Sequence, residues 1–139
     1  MPFLSLPNNT GGPVEKKIIT SIKLPVAGPY SLAVEANGLI FISGQLPINP
    51  ATGEIVMDIR PAARQVLANL QTLLEENGLS LNNVVKTTIF LKNMDDFAVV
   101  NELYAGFFTT LPPARSTVEV SALPKGVPLE IEAVAVRSL

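Results

Sequence analysis

The 139-residue sequence contains no histidine, no cysteine and no tryptophan. Each absence removes a chemistry. Without His or Cys a zinc site lacks its usual ligands, so no metal centre is expected. Without Cys there is neither a disulfide nor a thiolate nucleophile. Ser-His-Asp and Cys-His relays cannot be built within the chain, and no imidazole titrates near neutral pH. Charge is scarce as well: 10 Lys+Arg and 12 Asp+Glu make 16% of the residues, against roughly 25% in ordinary soluble domains. An enzyme made from this inventory works with carboxylates, hydroxyls, Arg or Lys, backbone groups and water.

What is abundant is apolar: 47% of the residues. The uninterrupted apolar runs are only a handful of residues long, far short of the ~20 needed to span a bilayer, so no membrane partner is expected. The excess reads instead as surface that a single subunit leaves exposed and an oligomer covers. A net charge of −2 and a lone adjacent basic pair, Lys16-Lys17, argue against nucleic acid. Residues 1–13, MPFLSLPNNTGGP, read as a flexible lead-in with neither the basic n-region nor the apolar core of a secretory signal. Asn8-Asn9-Thr10 fits a glycosylation sequon by chance on that reading, and a cytoplasmic protein is expected. No repeat or linker divides residues 14–139, which are expected to form one domain.

The hydrophobic pattern predicts eight elements in the order β-β-β-α-β-α-β-β. Lys17–Ile22 reads as a first strand. Ser31–Ala36 and Leu39–Ser43 flank Asn37-Gly38, a strong hairpin signal. From Ile59 the period changes: Ala63, Val66, Leu67, Leu70, Leu73 and Leu74 share a helical face, with Asp58 to cap it and Gly78 to stop it. Val84–Leu91 is β-branched and reads as a strand. Asn93 with Asp96 resembles a capping pair before a second helix carrying Phe97, Val100, Tyr104, Phe107 and Phe108, closed off by Pro112-Pro113. Strands Ala114–Val120 and Leu129–Val136 end the chain. This order predicts an α+β mixed sheet with both helices on one face. The other face then needs covering, which again points to an oligomer.

The last two strands hold polar groups in apolar surroundings. Alternation places Arg115, Thr117 and Glu119 on one face, and Glu130 and Glu132 together on a face of the final strand. Such groups are costly to bury unless they pair or line a cavity. A solvated strand face with Arg–Glu pairs is one reading and a functional site is the other. Arg offers a rigid fork for a carboxylate or phosphate, and a nearby Glu can orient water. Gly44, in Ser43-Gly44-Gln45, is either a plain bulge or a place where backbone approaches a ligand. Tyr30 follows Gly28-Pro29 and either packs a loop or covers a ligand. Asn101 sits mid-helix, where it is expected to hydrogen-bond across the structure. Asp95-Asp96 reads as a pair of helix-start residues.

Several motifs occur in order: Gly28-Pro29-Tyr30-Ser31, Ile42-Ser43-Gly44-Gln45, Asn49 to Gly53, Val85-Lys86-Thr87-Thr88, Phe97 to Asn101, Pro113-Ala114-Arg115-Ser116 and Leu129-Glu130-Ile131-Glu132-Ala133. Together, from about Lys17 to the C-terminus, they resemble the RidA family, also called the YjgF family. The resemblance implies a chorismate-mutase-like α+β fold and a homotrimeric barrel with ligand clefts between subunits. It implies hydrolytic deamination of reactive 2-imino or enamino acids, such as 2-iminopropanoate and 2-iminobutanoate, to 2-keto acids and ammonia, without a cofactor.

Carried over by position, Arg115 matches the carboxylate-gripping Arg and Glu130 the Glu near the attacking water. Tyr30, Gly44, Thr117 and Asn101 match substrate-cleft positions. Two departures stand out: Thr117 where many members have Cys, and Leu32 where Gln is frequent. A non-catalytic small-carboxylate binder, chaperone-like, and the endoribonuclease of older family descriptions are the alternative functions.

Overall fold

The computed structural model describes residues 12–139; the Asn8-Asn9-Thr10 sequon and most of the lead-in lie outside the described residues. Eight main elements follow in the expected order: β1 (Lys17–Ile19), β2 (Ala33–Ala36), β3 (Leu39–Gln45), α1 (Ile59–Glu76), β4 (Val84–Leu91), α2 (Phe97–Phe107), β5 (Ala114–Glu119) and β6 (Leu129–Val136). They build one six-stranded sheet in the order β1-β2-β3-β6-β4-β5. All neighbours are antiparallel except β4 and β5, which run parallel with α2 as their crossover. The β3–α1–β4 and β4–α2–β5 connections advance in the same direction across the sheet. Crossovers of one hand that advance the same way deposit both helices on the same face.

The register turns the sheet into rows. Ile19, Ala33, Ile42, Ala133, Thr87 and Arg115 form one row, and Gln45, Ile131, Ile89 and Thr117 form another. Both rows face the helices, where Val66, Leu67, Leu70, Leu73 and Leu74 of α1 pack on them and are fully buried or nearly so. The intervening rows, Val34-Phe41-Val134-Lys86 and Glu130-Phe90-Val118, face the other way. That second face has no layer over it: Ile18, Phe41 and Val118 are 54%, 48% and 41% exposed.

Differences from the expected elements have local causes. The first strand ends at Ile19 because the Ser21 hydroxyl accepts from the Lys23 and Leu24 amides and turns the chain. The second starts at Ala33, since the Ser31 and Leu32 carbonyls are engaged by Ser43. β3 runs on to Gln45 through a register irregularity after Ile42. Asp58 sits at the N-cap of α1 but its side chain makes no capping bond. Gly78, at φ 73°, closes α1 with Leu79 donating back to the Leu74 carbonyl. Asn93 caps a 3-10 turn, Met94–Asp96, that leads into α2, and does not cap α2 itself.

Ile131 is wholly buried where the middle of the sheet meets the helices. Ile131→Ala should lower unfolding free energy by about 2–5 kcal/mol in chemical denaturation; a loss below about 1 kcal/mol would contradict this packing.

Candidate active site

Arg115 closes a row whose other members are buried, on β5 at the edge of the sheet. Its guanidinium lies against one stripe of α2. Phe97, Asn101 and Tyr104 are spaced i, i+4 and i+7 and so share a helix face. The Arg115 carbon Cζ is 5.5 Å from the Phe97 ring centroid and 4.9 Å from that of Tyr104. Nη1 donates to Asn101 Oδ1 at 2.8 Å. The two ion pairs among the described residues, Arg60–Glu102 and Arg137–Glu35, leave Arg115 out. A guanidinium has five N–H donors. Here one of them is used, on a neutral amide, so the full positive charge is left to attract an anion.

Two residues along the same strand face, the Thr117 hydroxyl is buried with no hydrogen-bond partner. A buried hydroxyl without a partner is unusual in a native fold. Beneath Arg115, the Tyr104 hydroxyl and Thr87 Oγ1 are hydrogen-bonded at 2.6 Å, and Thr87 is fully buried. Burial pushes the Tyr104 phenol above its ordinary pKa, against smaller lowering effects of Thr87 and Arg115.

A second cluster lies on the opposite face. At the β3 irregularity, the space a Cβ on Gly44 would occupy is already filled by Glu130, whose Cδ and Cγ would lie 2.6 and 2.8 Å away. Gly44 is therefore both a bulge residue and a close approach, and the approach is to Glu130. Burial, and then the neighbouring Glu132 charge, raise the Glu130 pKa above the usual carboxylate range. Tyr30 is half exposed, and its ring packs on Gly28, whose φ of 146° suits glycine. Tyr30, Leu32 and Gly44 border a small hollow of about 70 Å³. Tyr30 also borders an open bowl of about 490 Å³ with Ser43, Phe41 and Glu132.

The sequence candidates thus separate into two half-sites. Arg115, Asn101 and Thr117 stand on the helix side of the sheet and Glu130 on the uncovered side. Gly44 and Tyr30 lie at the β3 irregularity, where the small hollow also reaches Asn69 of α1 and Tyr30 meets the open bowl. Asn101 is spent on Arg115. Phe97, on the expected face of the second helix, is 36% exposed and lies under the guanidinium. Thr87, Phe97 and Tyr104 were not singled out as site residues from sequence. The signal was there in the 97/101/104 spacing, but it also fits a packed helix face. Asp95 and Asp96 sit in the 3-10 turn, and no cluster of three or more His, Cys, Asp or Glu among the described residues is placed to hold a metal. No helix among them is long and apolar enough to cross a membrane.

The raised Glu130 pKa has a signed consequence. The folded state holds this proton more tightly than the unfolded chain, so Glu130 favours folding below its unfolded pKa and loses that contribution as pH rises through the folded value. At neutral pH, Glu130→Gln should therefore raise the denaturation midpoint relative to wild type. The difference should shrink as pH falls through the carboxylate range; a variant less stable than wild type at pH 7 would refute the burial penalty.

Known proteins agree with this architecture. The profile of the family described as Endoribonuclease L-PSP matches residues 20–137. A RutC family protein of Pyrococcus horikoshii is 56% identical over 109 residues, 78% of this chain and 86% of its own. The 2-iminobutanoate/2-iminopropanoate deaminase of Escherichia coli K12 is 48% identical over 125 residues, 87% of this chain and 98% of its own. A crystal structure of a Rid-family protein from Yersinia pestis, 48% identical, superposes with a TM-score of 0.85 over 88% of this chain and 99% of that one. Matched nearly end to end at this identity, with the fold and motif order in agreement, the chain belongs to the Endoribonuclease L-PSP family, the RidA or YjgF group of proteins.

Proposed function

We propose that the protein hydrolyses 2-imino and enamino acids, 2-iminopropanoate and 2-iminobutanoate among them, to 2-keto acids and ammonia. The observation that carries this reading is Arg115: an unpaired guanidinium, cradled by α2, with one N–H spent on a neutral partner. Such a fork suits a planar carboxylate. The deaminase name of the 48%-identical Escherichia coli relative supports the same substrate class.

The chemistry demands little more. An iminium carbon is already electrophilic. Glu130, as carboxylate, orients a water and takes its proton as the oxygen bonds to C2. Protonated Glu130 returns that proton to the carbinolamine nitrogen, and the C–N bond breaks. Ammonia leaves as the C2 carbonyl forms and the hydroxyl proton passes back to the Glu130 carboxylate. Arg115 holds the carboxylate throughout, and Gly44 and Thr117 fix the reacting end. No step calls for a cofactor or a histidine.

One substrate cannot touch both half-sites of a single chain, because the sheet lies between them. The proposed enzyme is therefore a homotrimer in which Arg115 of one copy faces Gly44 and Glu130 of the next, with the apolar sheet faces turned inward. Exposed Ile18, Phe41 and Val118 support that assembly. In solution it should sediment at three times the 14.8 kDa chain mass. A cytoplasmic location fits substrates released by cytoplasmic amino-acid metabolism.

A threonine dehydratase feeding 2-iminobutanoate, with semicarbazide competing for the imine, tests the reading. Wild type should divert imine to keto acid, and Arg115→Ala should lower kcat/KM about 100-fold, as expected for losing about 3 kcal/mol of charge-assisted hydrogen bonding. Wild type that binds pyruvate but leaves the imine lifetime unchanged would make the protein a carboxylate binder. RNA cleavage abolished by Arg115→Ala would favour the endoribonuclease in the family's description.

A further inference from the structure

An arginine that clamps a carboxylate has to present its fork in one orientation, and Arg115 has few restraints on it. It stands on an edge strand, so no further strand flanks it. Its one side-chain hydrogen bond, to Asn101, leaves the guanidinium free to pivot about that contact. Within the chain, the remaining contacts are the two rings over which its Cζ lies, those of Phe97 and Tyr104. They are unequal: Phe97 is 36% exposed, whereas Tyr104 is 5% exposed and is braced by Phe108, with ring centroids 4.5 Å apart. Tyr104 is the nearer ring and the firmer one.

Tyr104 is also tied at its far end. Its hydroxyl meets Thr87 Oγ1 at 2.6 Å, and Thr87 is the β4 residue paired with Arg115 in the parallel ladder. A closed circuit results: the Arg115 backbone is registered against Thr87, Thr87 holds Tyr104, and Tyr104 supports the Arg115 guanidinium. The fork is thus referenced to the backbone of its own strand pair and not to the exposed surface of α2. Packing alone does not require the two hydroxyls, since Val and Phe would fill the same volume with no buried polar group to satisfy.

We propose that Tyr104, pinned by Thr87, is a positioning residue that orients the Arg115 guanidinium for carboxylate binding. This rests on the reading of Arg115 as the carboxylate anchor. The role lies in ground-state and transition-state binding alike, so it acts on KM and on ligand affinity while leaving the chemical step alone.

The test uses the full chain with Tyr104→Phe, Thr87→Val, the double variant and Thr87→Ser, which keeps the hydroxyl. Pyruvate is titrated by calorimetry, 2-iminobutanoate hydrolysis is followed in the coupled assay, and melting is recorded alongside. Each hydroxyl deletion should weaken pyruvate binding and raise KM about 5-fold, the order expected when a cation–π contact is loosened, with kcat within about twofold. The double variant should be no worse than the worse single one, because both remove the same link. Thr87→Ser should bind as wild type. Deletions that lower the melting temperature but leave Kd and KM unchanged would overturn the proposal and leave the pair as core packing. So would a fall in kcat at constant KM. An Arg115→Ala variant that binds pyruvate like wild type is a different failure, since it removes the carboxylate anchor itself and the proposal with it.

Discussion

Side chains on a strand alternate between faces, and the parallel pairing of β5 with β4 fixes which way that alternation falls. Thr87 lies beside Arg115 and Ile89 beside Thr117, so the arginine and the orphan hydroxyl are carried to the helix side. The antiparallel pairing of β6 with β4 puts Phe90 beside Glu130, on the other side. A slip of one residue in β5 would move Arg115 off α2, bury Val118 and strip the guanidinium of Phe97, Asn101 and Tyr104 together. Ile42, Ala133 and Thr87 are buried in the same row that ends at Arg115, so the row that fills the core also sets the arginine on the helix side. Core packing and site geometry are therefore enforced by one register.

That constraint explains the composition. Charges are scarce on the sheet's second face, where apolar Ile18, Phe41 and Val118 stand exposed. The charged groups that are placed in the strands have specific neighbours: Arg115 has an aromatic cradle, and Glu130 fills the space left by Gly44. For the proposed imine substrate, whose C=N carbon water already attacks, the want of histidine is no handicap. Such a site has to hold, orient and protonate; it does not have to generate a strong nucleophile.

Much of the fold was legible in the sequence. Period 3.6 marked α1, a β-branched run marked β4, and Asn37-Gly38 marked the hairpin. Boundaries depended on single side chains that periodicity does not weigh, such as the Ser21 hydroxyl that ends β1. The arrangement of the candidate site residues was not legible in the sequence. Alternation shows that Arg115 and Thr117 share a face; it cannot show that Glu130 is on the other one, because that follows from ladder register and direction. The Thr87–Tyr104 bond joins residues 17 apart through a crossover helix, and each reads as ordinary core by itself.

The central claim is that one reaction centre takes Arg115 from one copy and Glu130 from another. Subunit complementation tests it directly. Arg115→Ala and Glu130→Gln chains, each inactive as a pure assembly, are unfolded together in equal amounts and refolded. Random mixing in a closed ring leaves about a quarter of the clefts with both residues intact, so imine hydrolysis should return to about that fraction of the wild-type rate. If mixed assemblies form but stay as inactive as their parents, the two residues act within one chain and the account is wrong.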